Sequence, residues 1–587
     1  MVAFKNLRDV DPAEFEQAAD GYHTVSSAAS EAKDRLAQQI LAKNFPDASG
    51  TSGGLTGEAA AAAEKRLERL RKSFHYTQVE CGLISATLNG FAAELRAAKK
   101  KLTTAVAEAQ SAGFKVGEDG SISWTIDGPL LLEQNVTGKD SAVPYANPDP
   151  QRVKALGFAE RIEDALNEAA GADQEWGPKL AKLKAQNDLT VSAKDWANVH
   201  GDQKAVQKVA GDYLSKDSIP QGESPAHNRE WWNDLSEQER ADYVSLHPAS
   251  IGALNGLPTE VRDEANRAVL AEKRGHYEIQ SKAIPPEPWP KWVNGGPRIG
   301  KIQSDEWTTW YMEHGERREH VDASLKGMES IEARFDATGK NGLPEAYLLG
   351  FSPEGNGRAI VANGNPDTAD HTAVYVPGTT ANLGKVGGDI DRAVELWRDA
   401  ERMSLKDSVS TITWLGYDAP QNIVTDSPFS HYADDGAPDF NRFMSGLDVT
   451  NTSDGGGHHT VVGHSYGTTL VGSAARQGEL TADDVVLAGS PGVQVGSARE
   501  MDVPQGHVWN QEADGDAVPN IGRWGHGGSQ WELGGGAFLI PSDELFGANQ
   551  METDTEGHSG YWDPGSLSLR NQAAVITGRY GEVEHEG

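Results

Sequence analysis

The pentapeptide Gly463-His464-Ser465-Tyr466-Gly467 follows a β-like apolar run and precedes a helix-compatible one, within the segment HHTVVGHSYGTTLVGSAARQG. A serine placed this way fits a sharp strand-to-helix turn. Its strained backbone lifts the hydroxyl off the sheet, and the close strand–helix approach leaves no room for a β-carbon at the flanking positions, hence the two glycines. The helix that begins after Ser465 directs free N–H groups and its positive dipole end toward the same point. The chemistry this spacing supports is attack by Ser465 on an acyl carbon. A second match, Gly50-Thr51-Ser52-Gly53-Gly54, has no strand before it and reads as a decoy in a Gly/Ser-rich loop.

A serine hydroxyl is a poor nucleophile at neutral pH and needs an imidazole base, itself oriented by a carboxylate. With a turn of this kind the order is serine, acid, histidine. Downstream, HVWNQEADGDAVPN places Asp514 and Asp516 at the end of an apolar run, and His507, His526 and His558 follow the serine. His558 is the expected base, since it lies in a loop before a final helix; His526, in WGHGGSQW, is the alternate. His464 should pack sideways and take no part in proton transfer. Two amides are expected to hold the oxyanion: that of Tyr466, and that of Thr379 or Thr380 in AVYVPGTTANL, where Pro377-Gly378 ends a strand abruptly. This chemistry calls for no cofactor. Asp434-Asp435 and His458-His459 lack the spacing of helical metal ligands and read as loop polarity, and Trp231-Trp232 as core or interface.

These residues must be held by alternating elements. Short β-branched and aromatic runs at Tyr347–Phe351, Arg358–Ala362, Ala373–Val376, Val409–Trp414, Thr460–Gly463, Asp484–Ala488 and His507–Asn510 predict strands. Helical patterns fall at Asp389–Met403, Thr468–Arg476 and around Leu567–Arg579. The alternation predicts a mostly parallel sheet from about Pro297 onward. IPPEPWPKWVNGGP, residues 284–297, cannot continue a helix and reads as a linker. Before it, Asp11-Pro12 opens an amphipathic helix whose apolar face is Phe15, Tyr22, Val25, Ala29, Ala32, Leu36 and Ile40. Residues 44–56 break it, and Leu67, Leu70, Phe74, Cys81, Ile84, Leu88, Phe91, Leu95 and Leu102 repeat with near-heptad spacing in a second, antiparallel helix. A small hairpin follows around Asp119-Gly120, residues 143–150 mark a boundary, and the Ala-rich stretch to about 282 is helical, with a capping box at Ser236 and Glu239.

Composition narrows the partners. Lys and Arg number 53 against 87 Asp and Glu, a formal charge of −34, which repels a phosphate backbone and excludes nucleic acid as the expected partner. With the single cysteine Cys81 there is no internal disulfide or thiolate cluster. The N-terminus lacks the apolar core of a signal peptide, and no stretch of about 18 apolar residues exists, so no integral membrane segment is expected. The expected location is the cytoplasm, or outside the cell by a route that needs no conventional signal.

VYVPGTT, TWLGYDAPQN, VVGHSYGTTL, VLAGSPG and the late HSGYW together resemble an actinobacterial α/β-hydrolase family, over about residues 340 to 565. The resemblance implies a Ser-Asp-His triad of Ser465, Asp516 and His558, and a small-molecule or lipid-like ester as substrate. Asp516 is favoured over Asp514 because its Asp-Ala-Val-Pro setting resembles the acid-bearing turn of several lipases. Tyr417 and Asp418 match a family signature at the mouth of the site, implying a pocket role. The N-terminal hairpin resembles Trp-x-Gly helical hairpins handled by type VII secretion, although its loop reads SGGLTG; the resemblance implies secretion machinery, or self-association through these helices, as a partner. The expected fold class is therefore α/β. A long helical hairpin with a small β-hairpin fills 1–145, a helical domain 146–283 and the linker 284–297, ahead of an α/β-hydrolase domain at 298–587.

Overall fold

The computed structural model describes residues 2–45, 55–126, 132–142, 150–183, 191–211, 213–296, 298–404, 406–453, 456–478, 480–528 and 538–586. The decoy at 50–54 lies outside them, as does nearly all of the boundary at 143–150.

Asp11 accepts a hydrogen bond from the Ala13 amide and caps α1 (Pro12–Arg35), which a π-helical turn, Leu36–Leu41, extends. α2 (Glu58–Ser111) runs back along it. Phe15 meets Phe91 edge-on at 5.0 Å, and Ser26 Oγ donates to the Gln78 carbonyl, so the two helices are antiparallel. The buried face of α1 matches the expected one in part. Ala29 and Leu36 are buried as expected, but Tyr22, Val25 and Ile40 are exposed, and Ala19 and Ser26 are buried instead. Small residues fit there: Ser26 packs against Gly82 of α2 at ordinary contact distance and donates to the Gln78 carbonyl. α3 (Pro150–Leu180) packs on α2 through Trp176, whose ring fills the space that a β-carbon on Gly90 would take. The hairpin expected around Asp119-Gly120 forms, with Leu132–Val136 added to it as a third antiparallel strand. Ser236 and Glu239 form their capping box, and Trp232 lies in a small core with Tyr243 and Ile251.

α4 (Thr259–Ala283) packs against the edge of the main sheet. That sheet has eight strands: β1 (Ala346–Ser352), β2 (Arg358–Asn363), β3 (His371–Val376), β4 (Val409–Leu415), β5 (His458–His464), β6 (Asp484–Ala488), β7 (Val508–Gln511) and β8 (Asn549–Gln550). Their order is β1-β2-β4-β3-β5-β6-β7-β8, with β3 to β8 parallel and β2 antiparallel to both of its neighbours, β1 and β4. A bare edge at β1 would expose unpaired backbone groups. Arg262, Asn266 and Arg267 of α4 donate to carbonyls of Leu349, Leu348 and Ala346, and Asp263 accepts from the Leu348 amide, so the edge is covered by side chains.

The interior strands are buried on both faces, which is why they read as near-continuous apolar runs. Val374, Val376 and Val461 face a core with α5 (Asp305–Asp336), α7 (His431–Thr450) and α8 (Tyr466–Gln477). Ala373, Tyr375 and Val462 face the opposite core, with α6 (Val386–Met403) and α10 (Leu567–Ile576); a short α9 (Val518–His526) follows β7. Asp434-Asp435 and His458-His459, expected as loop polarity, lie instead in α7 and β5. Among the described residues, no helix is long and apolar enough to cross a membrane.

Candidate active site

β5 ends at His464, and Ser465 turns the chain into α8 with φ 55° and ψ −130°, a conformation side chains rarely adopt. The neighbouring glycines are required sterically. A β-carbon on Gly467 would lie 2.2 Å from the Val376 carbonyl oxygen, and one on Gly463 3.0 Å from Thr468. The turn sits at the carboxyl end of the central strands, beside the point where the strand order reverses between β3 and β5, where ligands of open α/β sheets bind. Ser465 is 8% exposed, and its Oγ has no hydrogen bond among the described residues.

The loop after β8 brings His558 beside His464, the last residue before this turn. Its ring lies 4.8 Å, centre to centre, from that of His464, and His464 Nε2 donates to the His558 carbonyl at 2.9 Å. His464 is therefore a brace for the His558 loop. Burial and the nearby His558 hold it well below the ordinary imidazole range, so it is neutral. His558 Nδ1 meets Asp516 Oδ2 at 2.8 Å. Burial pushes the Asp516 carboxyl up, but hydrogen bonds from His558, Tyr561 and the Val518 amide outweigh it and leave the group below its ordinary value. The ionised carboxylate only accepts, so Nδ1 carries the proton and Nε2 keeps its lone pair.

Asp516 has no exposed side-chain surface, whereas 30% of the His558 side chain is open. Tyr561 donates to Asp516 Oδ2 at 2.7 Å and accepts from the Ala513 amide at 3.0 Å, which fixes the direction of its own proton. Tyr561 was not singled out from sequence, though HSGYW contains it. Gly489, in VLAGSPG, is a second such residue. With φ at 58°, it lies so close beneath the pair that a β-carbon would fall 2.8 Å from Asp516 Oδ2 and 3.0 Å from the His558 ring.

The other candidates fall elsewhere. Asp514 is exposed; its backbone bridges to Glu556 and accepts from the Gly557 amide, supporting the loop that carries His558. His526 is buried, donates to the Ser427 carbonyl and stands edge-on to the Tyr466 ring at 5.2 Å. His507 lies at the opposite end of the sheet, on Asp484 at 3.0 Å.

The loop after β3 abuts the turn. A β-carbon on Gly378 would lie 2.7 Å from Ser465 Cβ and 2.9 Å from the Tyr466 nitrogen. The Thr380 amide is occupied by the Pro420 carbonyl at 2.7 Å, whereas those of Thr379 and Tyr466 donate to no acceptor among the described residues. Tyr417 and Asp418, expected at the mouth of the pocket, are placed differently. Tyr417 is a core residue whose hydroxyl donates to the Pro377 carbonyl at 2.8 Å, bracing this same loop. Asp418 lies on the surface, paired with Arg358 at 3.2 Å. Its signature therefore marks support of the loop, because the Tyr417 ring packs inward on Trp414.

Residues 352–525 match a family described as alpha/beta hydrolase. The chain is 31% identical over 394 residues to the uncharacterized protein Rv2079 of Mycobacterium tuberculosis, covering 63% of this chain and 58% of that protein. It is 35% identical over 171 residues to the uncharacterized protein Mb0988c of Mycobacterium bovis, covering 28% of this chain and 62% of that protein. The chain thus spans less than two thirds of the length of these relatives. Strand order, the turn at Ser465 and the family match agree that the C-terminal half of the chain carries an α/β-hydrolase domain.

Proposed function

We propose that the protein is a serine hydrolase that cleaves an ester, with an amide as the second choice of substrate class, through an acyl-enzyme. Ser465 Oγ attacks the carbonyl carbon and passes its proton to His558 Nε2, while Asp516 holds the imidazole in the accepting tautomer. The Tyr466 and Thr379 amides receive the oxyanion. The tetrahedral species collapses, and the leaving oxygen departs with the proton from His558. Water then adds to the acyl group by the same route and frees Ser465. The observation that carries this reading is the strained Ser465 turn, whose preceding residue His464 lies 4.8 Å, ring to ring, from an imidazole with Nδ1 fixed by a buried carboxylate.

An apolar substrate is favoured by the surroundings. Ile423, Val424 and Phe429 on the loop after β4, and Ile521 and Trp524 on α9, are 57–79% exposed. Loop and helix meet where Ser427 contacts both Thr379 and His526, next to the proposed oxyanion amides. Exposed apolar side chains gathered at such a point suit a lipid-like or otherwise apolar ester. The exposed Tyr22, Val25 and Ile40 on α1 support self-association, or docking to secretion machinery, through the N-terminal helices.

The test is turnover of short p-nitrophenyl esters by wild type and Ser465→Ala, with fluorophosphonate labelling alongside. A loss of about a thousandfold or more in kcat, together with loss of labelling, is expected. Wild-type protein that neither labels nor turns over any such ester refutes the proposal in favour of a non-catalytic hydrolase-like domain.

A further inference from the structure

A cavity of about 50 Å³ lies where α1, α2, α4 and α5 meet, away from the Ser465 turn. Its lining includes Lys33, Arg71, Lys72, His75, Arg267 and Glu332. Four cations thus face one carboxylate, in a protein whose net charge is −34. Such a concentration of positive side chains against the general field of the molecule is not a generic solubilising surface.

The cations are held in place. The Lys33, Arg71 and Arg267 side chains are only 12–15% exposed. Arg71 is fixed from behind by Glu68 at 3.0 Å and Asp336 at 2.6 Å, neither of which lines the cavity. Arg267 is anchored to Asp263 at 2.6 Å and lies 3.7 Å over the Phe335 ring. Glu332, the lone acid of the lining, is taken by Arg274 from outside it. Lys72 has no hydrogen bond or ion pair among the described residues. Burial, with help from neighbouring cations, pushes Lys33 and Lys72 below the ordinary lysine value and His75 well below the ordinary imidazole value. Lys33 also pairs with Asp34 at 3.7 Å, so among the described residues Lys72 is the cation of the lining without a carboxylate partner, and the four positive groups share one small space with their acids behind them.

We propose that this cavity binds a phosphate-type dianion, either free or as the terminal phosphoryl group of a small molecule, through Lys33, Arg71, Lys72 and Arg267. A tetrahedral oxyanion offers acceptors in diverging directions that suit two guanidinium groups and two ammonium groups. Any substituent on such a group would leave the cavity past the exposed Lys72. Because Lys33, Arg71 and Lys72 belong to the N-terminal hairpin and Arg267 to the helix covering β1, the bound anion ties the hairpin to the hydrolase domain.

Calorimetric titration of the full chain with inorganic phosphate and with glycerol 1-phosphate, at constant ionic strength, tests this. Saturable binding of either supports the site, and the tighter of the two identifies the source as free ion or organic phosphate. Lys72→Gln is expected to weaken binding about tenfold by removing one charge-assisted contact. Glu332→Gln is expected to tighten it, a change that misfolding cannot imitate, and Ser465→Ala should leave it unchanged. Absence of saturable binding with both probes overturns the proposal, as does binding that neither Lys72→Gln nor Glu332→Gln alters.

Discussion

Asp516→Asn is the sharpest probe of how the site is ordered. The carboxylate accepts three hydrogen bonds, from His558 Nδ1 at 2.8 Å and Tyr561 at 2.7 Å on Oδ2, and from the Val518 amide at 2.9 Å on Oδ1. An asparagine has the same shape but only one accepting oxygen. If that oxygen faces Val518, the new NH2 donates to His558 Nδ1, and the proton moves to Nε2, where it blocks acceptance from Ser465. The Tyr561 proton cannot turn away, because the Ala513 amide already occupies its oxygen. If the asparagine flips, two donors meet at Val518. Either state loses at least one hydrogen bond to a buried charged group, worth roughly 1.5–3 kcal/mol. The first state also removes the base. The expected fall in kcat is about 10³ to 10⁴, the range known for loss of the orienting acid in serine proteases, or about 4–5.5 kcal/mol of barrier. Steady-state hydrolysis of p-nitrophenyl esters reads it, with Asp514→Asn as the control expected to stay near wild type. An Asp516→Asn variant within about tenfold of wild type, or an equal loss in Asp514→Asn, would refute the reasoning.

Further outcomes are expected. Gly378→Ala would drive a methyl group against Ser465 and the Tyr466 nitrogen, so ester turnover should fall by about 10² while the fold loses about 1–3 kcal/mol; unchanged kcat would show that the loop after β3 does not set the site. Asp484, fully buried, accepts from His458, His507, Trp509 and Tyr580 at the far end of the sheet. Asp484→Asn should cost roughly 3–5 kcal/mol in denaturant unfolding, and a cost under about 1 kcal/mol would contradict the network. For pH, burial is outweighed at both partners: hydrogen bonds, that from His458 foremost, depress Asp484, and contact with Asp484 raises His458. The depressed acid contributes stability above its unfolded value of about 3.8 and loses it as pH falls through the lower folded value. The raised imidazole contributes fully below about 6.5 and loses its share as pH rises through the higher folded value. The thermal midpoint deficit of His458→Gln should therefore be largest between those limits and shrink in alkali; a deficit independent of pH would refute the linkage.

Much of this was legible because the constraints are local. The Gly-x-Ser-x-Gly spacing encodes a turn whose steric demands fall within five residues, and the clashes expected at Gly463 and Gly467 are those found. The seven predicted strands appear near their expected limits because strands buried on both faces must be apolar throughout. Asp11-Pro12 and the capping box at Ser236 are likewise satisfied within one turn of helix. Elsewhere, composition misled. α5 and α7 were not foreseen, and the buried face of α1 was misassigned in part, because at the helix–helix contact alanine and serine pack better than tyrosine or valine.

What the sequence determined by itself was the nucleophile turn, the strand set and a short roster of acids and imidazoles. Only the tertiary structure set Asp516 rather than Asp514 against His558, turned Tyr417 inward beneath the Pro377 carbonyl, and gathered cations from three helices around one cavity. The reason is range. A turn is decided by backbone sterics between neighbours, whereas partners 40 or more residues apart, such as Asp516 and His558, meet only where the sheet's order and the packing of its loops bring them.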